Sequence, residues 1–194
     1  MNINKKQINI YTAVVFGAVF FMCMSNNIVG PLLDDIMAHY DIRLDGGGLM
    51  SMYQNIGGTA AIILFSFVMD RLNKTVAFTV PMLFLALSML LIGIAPPYAI
   101  FMLIFLFFGI SFSTMDMTGN ALVSDVQQKK RDSALSLMHG IASIGAVAAP
   151  LRGRYHRNRV TLADCLHCGG MLLTYCSGCL HTCICLRTPE PESN

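Results

Sequence analysis

Charge is what this chain has least of. Charged residues make up 12% of its 194 residues, about half the share of a soluble domain. No Asp, Glu, Lys or Arg occurs between Lys6 and Asp34, between Asp45 and Asp70, between Lys74 and Asp116, or between Asp132 and Arg152. An apolar stretch of roughly 20 residues lets a helix cross the hydrocarbon of a bilayer, and the third gap is about twice that long. Pro96-Pro97 breaks that gap, so it holds two crossings. At 55% hydrophobic residues, the chain has more Phe, Met, Leu and Ile than a water-soluble core of this size could hide. These features exclude a soluble domain and predict five membrane-spanning helices, near residues 8–33, 46–69, 75–95, 98–124 and 133–150. The run after Lys5 and Lys6 is long, lacks an Ala-x-Ala-like cleavage site and precedes four more spans. It reads as an uncleaved first helix, not a signal peptide.

The few charges alternate. Lys5 and Lys6 precede helix 1, Arg71 and Lys74 lie between helices 2 and 3, and Lys129, Lys130 and Arg131 lie between helices 4 and 5. Arg43 alone falls on the opposite side before residue 150. Basic loops stay in the cytoplasm, so the N-terminus is expected there.

An internal repeat runs through the spans. Residues 25–36 (SNNIVGPLLDDI) align without gaps on 115–126 (MDMTGNALVSDV). Asn26 falls on Asp116, Leu32 on Leu122, Asp35 on Asp125 and Ile36 on Val126. Helices 2 and 5 share small-residue stretches, Gly57-Gly58-Thr59-Ala60-Ala61 and Gly145-Ala146-Val147-Ala148-Ala149. Helix 1 starts inside and helix 4 outside, so the repeat is inverted, a plan many secondary transporters follow.

Polar groups in hydrocarbon are costly and face a cavity or a partner. Asp116 is the one acid deep in a span, and Asn120, four residues on, projects from the same helix face. The pair is placed to serve a cavity, Asp116 exchanging a proton or pairing with a cation and Asn120 hydrogen-bonding a hydroxylated solute. The competing reading is a structural acid bonded to a neighbouring helix. Asn26 and Asn27 sit before Gly30-Pro31, which is placed to kink helix 1; Gln54 and Asn55 sit early in helix 2, and His139 lies in helix 5. Each could line the same cavity or glue helices together. Met22, Met24, Met50 and Met52 read as lipid or packing surface, not metal ligands. No nucleophile–base pair or metal motif occurs in the spans, so an enzyme is not expected.

Asp70-Arg71-Leu72-Asn73-Lys74 closes helix 2. With the three-helix repeat, this resembles the major facilitator superfamily, whose helix 2–3 loop reads Gly-x-x-x-Asp-Arg-x-Gly-Arg-Arg. Asp70, Arg71 and Lys74 match, whereas Ser66, Asn73 and Thr75 depart from it. The resemblance implies a cytoplasmic gating loop, Asp70 capping a half-helix and Arg71 pairing across the gate. Met115–Asp125, Leu135-Ser136-Leu137-Met138-His139-Gly140 and Gly145…Pro150 look like helices 4 and 5 of the fucose:proton symporter branch. The helix 4 Arg of many drug:proton antiporters is absent, which tilts the resemblance toward sugar or polyol uptake over drug efflux.

After Pro150 the composition changes. Six of the seven Cys lie there, with five Arg, no Lys and none of the twelve Phe. Arg152, Arg154, Arg157 and Arg159 crowd the outer end of helix 5, where positive charge is disfavoured. Residues 151–194 read as a frameshifted tail: shifting the frame permits a Gly-Leu-Pro-Trp-Arg-x-Ala-Tyr string in place of 155–168. The other readings are a zinc site at Cys165, Cys168, Cys176 and Cys179 with His167 and His181 nearby, a disulfide framework, or a poor sixth helix near 162–186.

The expectation is therefore an all-α membrane protein, the N-terminal six-helix half of a major facilitator fold with five clear spans. Its function is secondary active transport of a small solute by alternating access, with the fragment inactive alone. The alternatives are a multi-pass protein acting by helix association or dimerisation, its Gly57-Gly58 and Gly145 faces packing copies together, and an efflux transporter. The partners are the lipid bilayer, a small-molecule substrate and a proton or sodium ion as coupling ion, with no nucleic acid, metal or cofactor. The expected location is the cell (inner) membrane.

Overall fold

A computed structural model describes residues 5–68, 74–157, 170–171 and 175. Among them lie five α-helices: α1 (Lys5–Tyr40), α2 (Leu44–Val68), α3 (Lys74–Ile94), α4 (Tyr98–Val126) and α5 (Arg131–Arg157). A 3-10 turn at Gln128–Lys130 joins the last two.

Two helix ends differ from the sequence reading. α1 runs past residue 33 to Tyr40, through Pro31. At 36 residues it is ~54 Å long, well beyond a hydrocarbon layer of ~30 Å. Asp34, Asp35 and His39 therefore extend the helix beyond the apolar run, because charge ends a membrane crossing and not a helix. α5 likewise continues through Pro150 to Arg157, across the composition break. The remaining tail, with the frameshift, zinc, disulfide and sixth-helix readings, lies outside the described residues apart from Gly170, Met171 and Tyr175.

The turns follow from backbone chemistry. Asp41 adopts φ 50°, and the Ile42 N–H donates to the Met37 carbonyl at 3.1 Å, the longer of the two bonds that close a Schellman cap. Ala95 adopts φ 53°, and its N–H donates to the Ile92 carbonyl at 3.1 Å. Pro96 has no N–H to add the second bond of that cap. The two turns meet: the Tyr40 hydroxyl donates to the Pro96 carbonyl and the Tyr98 hydroxyl to the Gly46 carbonyl at 3.1 Å.

α4 is the central helix. α2 and α3 pack along it, while α5 packs along α1. The α2–α4 contact is parallel: Gly46 meets Tyr98 at one end, and Gly57 and Gly58 meet Leu106 and Ser113 further along. A Cβ on Gly57 would strike the Leu106 backbone carbonyl, and one on Gly109 the Gln54 carbonyl. Small residues let backbones approach where lipid offers no hydrophobic drive. α5 meets α1 in the same way, Gly145 lying against the Phe20 carbonyl. The glycine faces that could have joined two copies are thus used inside the chain. Exchanging helix 1 with 4 and helix 2 with 5, as in the sequence repeat, turns the α2–α4 contact into the α5–α1 contact.

Among the described residues, three segments are long and apolar enough to cross a membrane: Ile8–Tyr40, Val76–Ile94 and Tyr98–Val126. Five were expected. Of the other two, the span near 46–69 reaches Met69, outside the described residues, and the span near 133–150 reaches Ala149 and Pro150, whose side chains lie outside them. The core between the helices is built from Phe101, Phe105 and Phe108 of α4, Met82, Leu85 and Met89 of α3, and Met22, Ile28 and Leu32 of α1. Met24 and Met50 are also buried, whereas Met52 is exposed.

Candidate functional site

The apolar Phe ladder of α4 gives way to polar side chains in its second half. Asp116 and Asn120 line one open cavity of about 340 Å³, bounded by Ile62 of α2 and by Phe112, Ser113 and Met117. The i, i+4 spacing that places both on one face is the spacing read from the sequence. The Asn120 amide donates to the Asp116 backbone carbonyl at 2.8 Å. That bond fixes the side chain and leaves its oxygen able to accept.

Two other helices reach the acid electrostatically. The Asp116 carboxyl interacts with the His139 imidazole of α5 and with the Cys23 thiol of α1. His139 is exposed and Cys23 half-buried. Three helices therefore bring an acid, an imidazole and a thiol into one electrostatic neighbourhood. No group of three or more His, Cys, Asp or Glu able to hold a metal ion occurs among the described residues.

The remaining sequence candidates divide. The Gln54 amide donates to the Asn26 Oδ1 at 2.7 Å, joining α2 to α1. These two are tied to each other and do not line the Asp116 cavity. Asn27 is exposed and donates to the Cys23 carbonyl at 2.8 Å; Asn55 does the same to Ser51 at 2.7 Å. Of the gating loop, Asp70 and Arg71 lie outside the described residues, and Lys74 opens α3 with its side chain outside them.

A second cavity, of about 590 Å³, lies between the end of α4 and the start of α5. Asn120, Ser124, Asp125 and Gln128 form one wall, and Arg131 and Leu135 the other. Asn120 lines both cavities. The sequence reading stopped at Asn120 and missed Ser124, Gln128 and Cys23. Continuing the four-residue step from Asp116 would have reached Ser124 and Gln128; no pattern in the sequence points to Cys23.

Comparison with known proteins bears on what such a bundle is. "Efflux pump hmp6" of Hypomyces subiculosus is 24% identical over 172 residues, a match taking in 80% of this chain and 29% of that protein. The chain thus spans under a third of the length of that relative. A family model described as the Major Facilitator Superfamily matches residues 15–155, from the first turns of α1 to the last of α5. This chain, an all-helical multi-pass membrane protein, belongs to the major facilitator superfamily.

Proposed function

We propose that this chain forms the N-terminal bundle of a secondary active transporter in the cell membrane, with its N-terminus in the cytoplasm and all five helices crossing. The parallel course of α2 beside α4, and of α5 beside α1, supports crossing by the two less apolar helices. The alternation of Lys5, Lys6, Arg71, Lys74 and Lys129–Arg131 with the nearly uncharged opposite loops supports the orientation.

The observation that carries the reading is the shared cavity of Asp116 and Asn120 on the central helix, with His139 and Cys23 in reach of the acid's field. In the proposed mechanism Asp116 exchanges a proton and Asn120 accepts a hydrogen bond from a hydroxylated solute, a sugar or polyol. Bound proton and bound solute then bias the rocking of this bundle against a second one. Asp70, Arg71 and Lys74 belong to the cytoplasmic gate in this reading.

A second reading, efflux of a small metabolite, draws on the similarity to the fungal efflux pump. Infrared difference spectroscopy of the chain in lipid vesicles separates them. Raising the pH is expected to bleach a protonated-carboxyl band that Asp116→Asn removes, and hydroxylated solutes should shift it. A wild-type spectrum without that band would defeat the proton role; a shift with amphipathic metabolites and none with polyols would favour efflux.

A further inference from the structure

We infer that Tyr175 of the tail seats in a notch that Gly17 opens on α1, and that this contact ties the tail to the α1–α5 pair. The seat rests on the tail's own contacts and is independent of the transport reading.

At Gly57, Gly109 and Gly145 a glycine faces a backbone carbonyl of a neighbouring helix. Gly17 differs. The three atoms nearest to where its Cβ would sit all belong to the phenol group of Tyr175, and the hydroxyl oxygen lies closer than any Cβ tolerates. That hydroxyl donates to the Val14 carbonyl at 3.0 Å, joining residues 161 positions apart. The ring lies against Phe21, with centroids 5.3 Å apart and planes tilted by 50°. Val14, Gly17 and Phe21 follow one another at steps of three and four, so they share one face of α1.

Each contact has a physical reason. Gly17 lies inside the charge-free run between Lys6 and Asp34, where an unpaired phenolic hydroxyl is costly. A helix carbonyl has two lone pairs, so the Val14 oxygen can serve its helix partner and a second donor. The missing Cβ is what lets the ring reach it. After Pro150 the chain has no Phe or Trp, and Tyr155 and Tyr175 are the only large rings there.

The notch is not a product of the repeat. Carrying the register of 25–36 on 115–126 back toward the N-terminus sets Gly17 on Phe107, whose side chain is exposed. α4 keeps a large ring where α1 has no side chain at all. From the notch the contact continues: the Phe21 ring meets Phe20 edge to face, centroids 5.4 Å apart, and Phe20 lies against Gly145 of α5. Tyr175, Phe21, Phe20 and Gly145 thus form one line from the tail through α1 to α5. A tail whose composition reads as an appendage clasps the bundle at this point.

Two measurements on the full chain in membranes test the seat. In the first, p-azidophenylalanine replaces Tyr175 and puts a photoreactive azide where the hydroxyl was. Illumination should give one dominant cross-link, located by peptide mass spectrometry in the 14–21 stretch of α1. Cross-links to lipid alone, or spread over several helices, overturn the seat and leave the tail as the frameshifted appendage. The second is a reversal of sign, read by thermal unfolding in detergent. Gly17→Ala should lower the melting temperature of the otherwise unchanged chain, because the new Cβ expels the ring. In a Tyr175→Ala chain the same change should raise it by roughly 2–4 °C, because the notch is empty and Ala is the better helix former. The same shift in both backgrounds overturns the seat.

Discussion

Asp116 has its place because α4, among the described residues, packs along both α2 and α3 and also touches α1 and α5, so a polar group there can meet other helices. The sequence showed the acid and its i+4 partner, since both lie on one helix. It left Asn26, Gln54 and His139 undecided, because whether a polar group meets a cavity or another helix depends on how helices rotate about their axes. Asn26 and Gln54 turned toward each other. Their bond makes a prediction: Asn26→Ala and Gln54→Ala should each destabilise the bundle, and the double variant should cost less than the sum by about 0.6 kcal/mol. Unfolding from mixed micelles in a denaturing detergent measures it; strict additivity would remove the bond from the account.

At the level of elements, the five helices were legible as charge-free runs, and their ends were not. Helix 1 continues past Asp34 and Asp35 because its terminus is set by the left-handed Asp41 and the cap onto Met37, which no hydropathy pattern records. Ala95 is the other left-handed residue, and a Cβ there is unfavourable. Ala95→Gly should therefore stabilise the α3–α4 hairpin by about 1 kcal/mol, read as a higher melting temperature in detergent. A lower one would mean that the left-handed turn is not what the chain adopts. Gly57 lies where α2 and α4 touch backbone to backbone. Gly57→Val should cost about 1–3 kcal/mol, since a carbonyl cannot move aside as a flexible side chain can. The same change at Gly48, which has open space around it, should cost less. Equal losses at both would show that the close approach is absent.

On the scale of the whole molecule, the repeat read from two short alignments extends further than those segments. Continuing the helix 2–5 register pairs Arg43 with Arg131 and the buried Met50 with the buried Met138. The exchange of α2–α4 packing with α5–α1 packing gives that repeat a physical form: parallel helices joined at glycine in each half. The pairing of helices could not be read from apolar stretches alone, because lipid and protein neighbours look alike to a hydrophobic side chain. The small-residue clusters at Gly57 and Gly145 were the legible trace of it. The tail left no such trace in the sequence, apart from its break in composition.

The central claim is that five crossings, two of them by helices diluted with polar groups, build one inverted-repeat bundle around α4. Topology reporters inserted after Arg43, Asn73, Pro96 and Lys129 test it most directly, because the first two bracket α2. The account predicts an alternating pattern, with the reporters at Asn73 and Lys129 in the cytoplasm and those at Arg43 and Pro96 outside. Finding the Arg43 and Asn73 reporters on the same side of the membrane would contradict it.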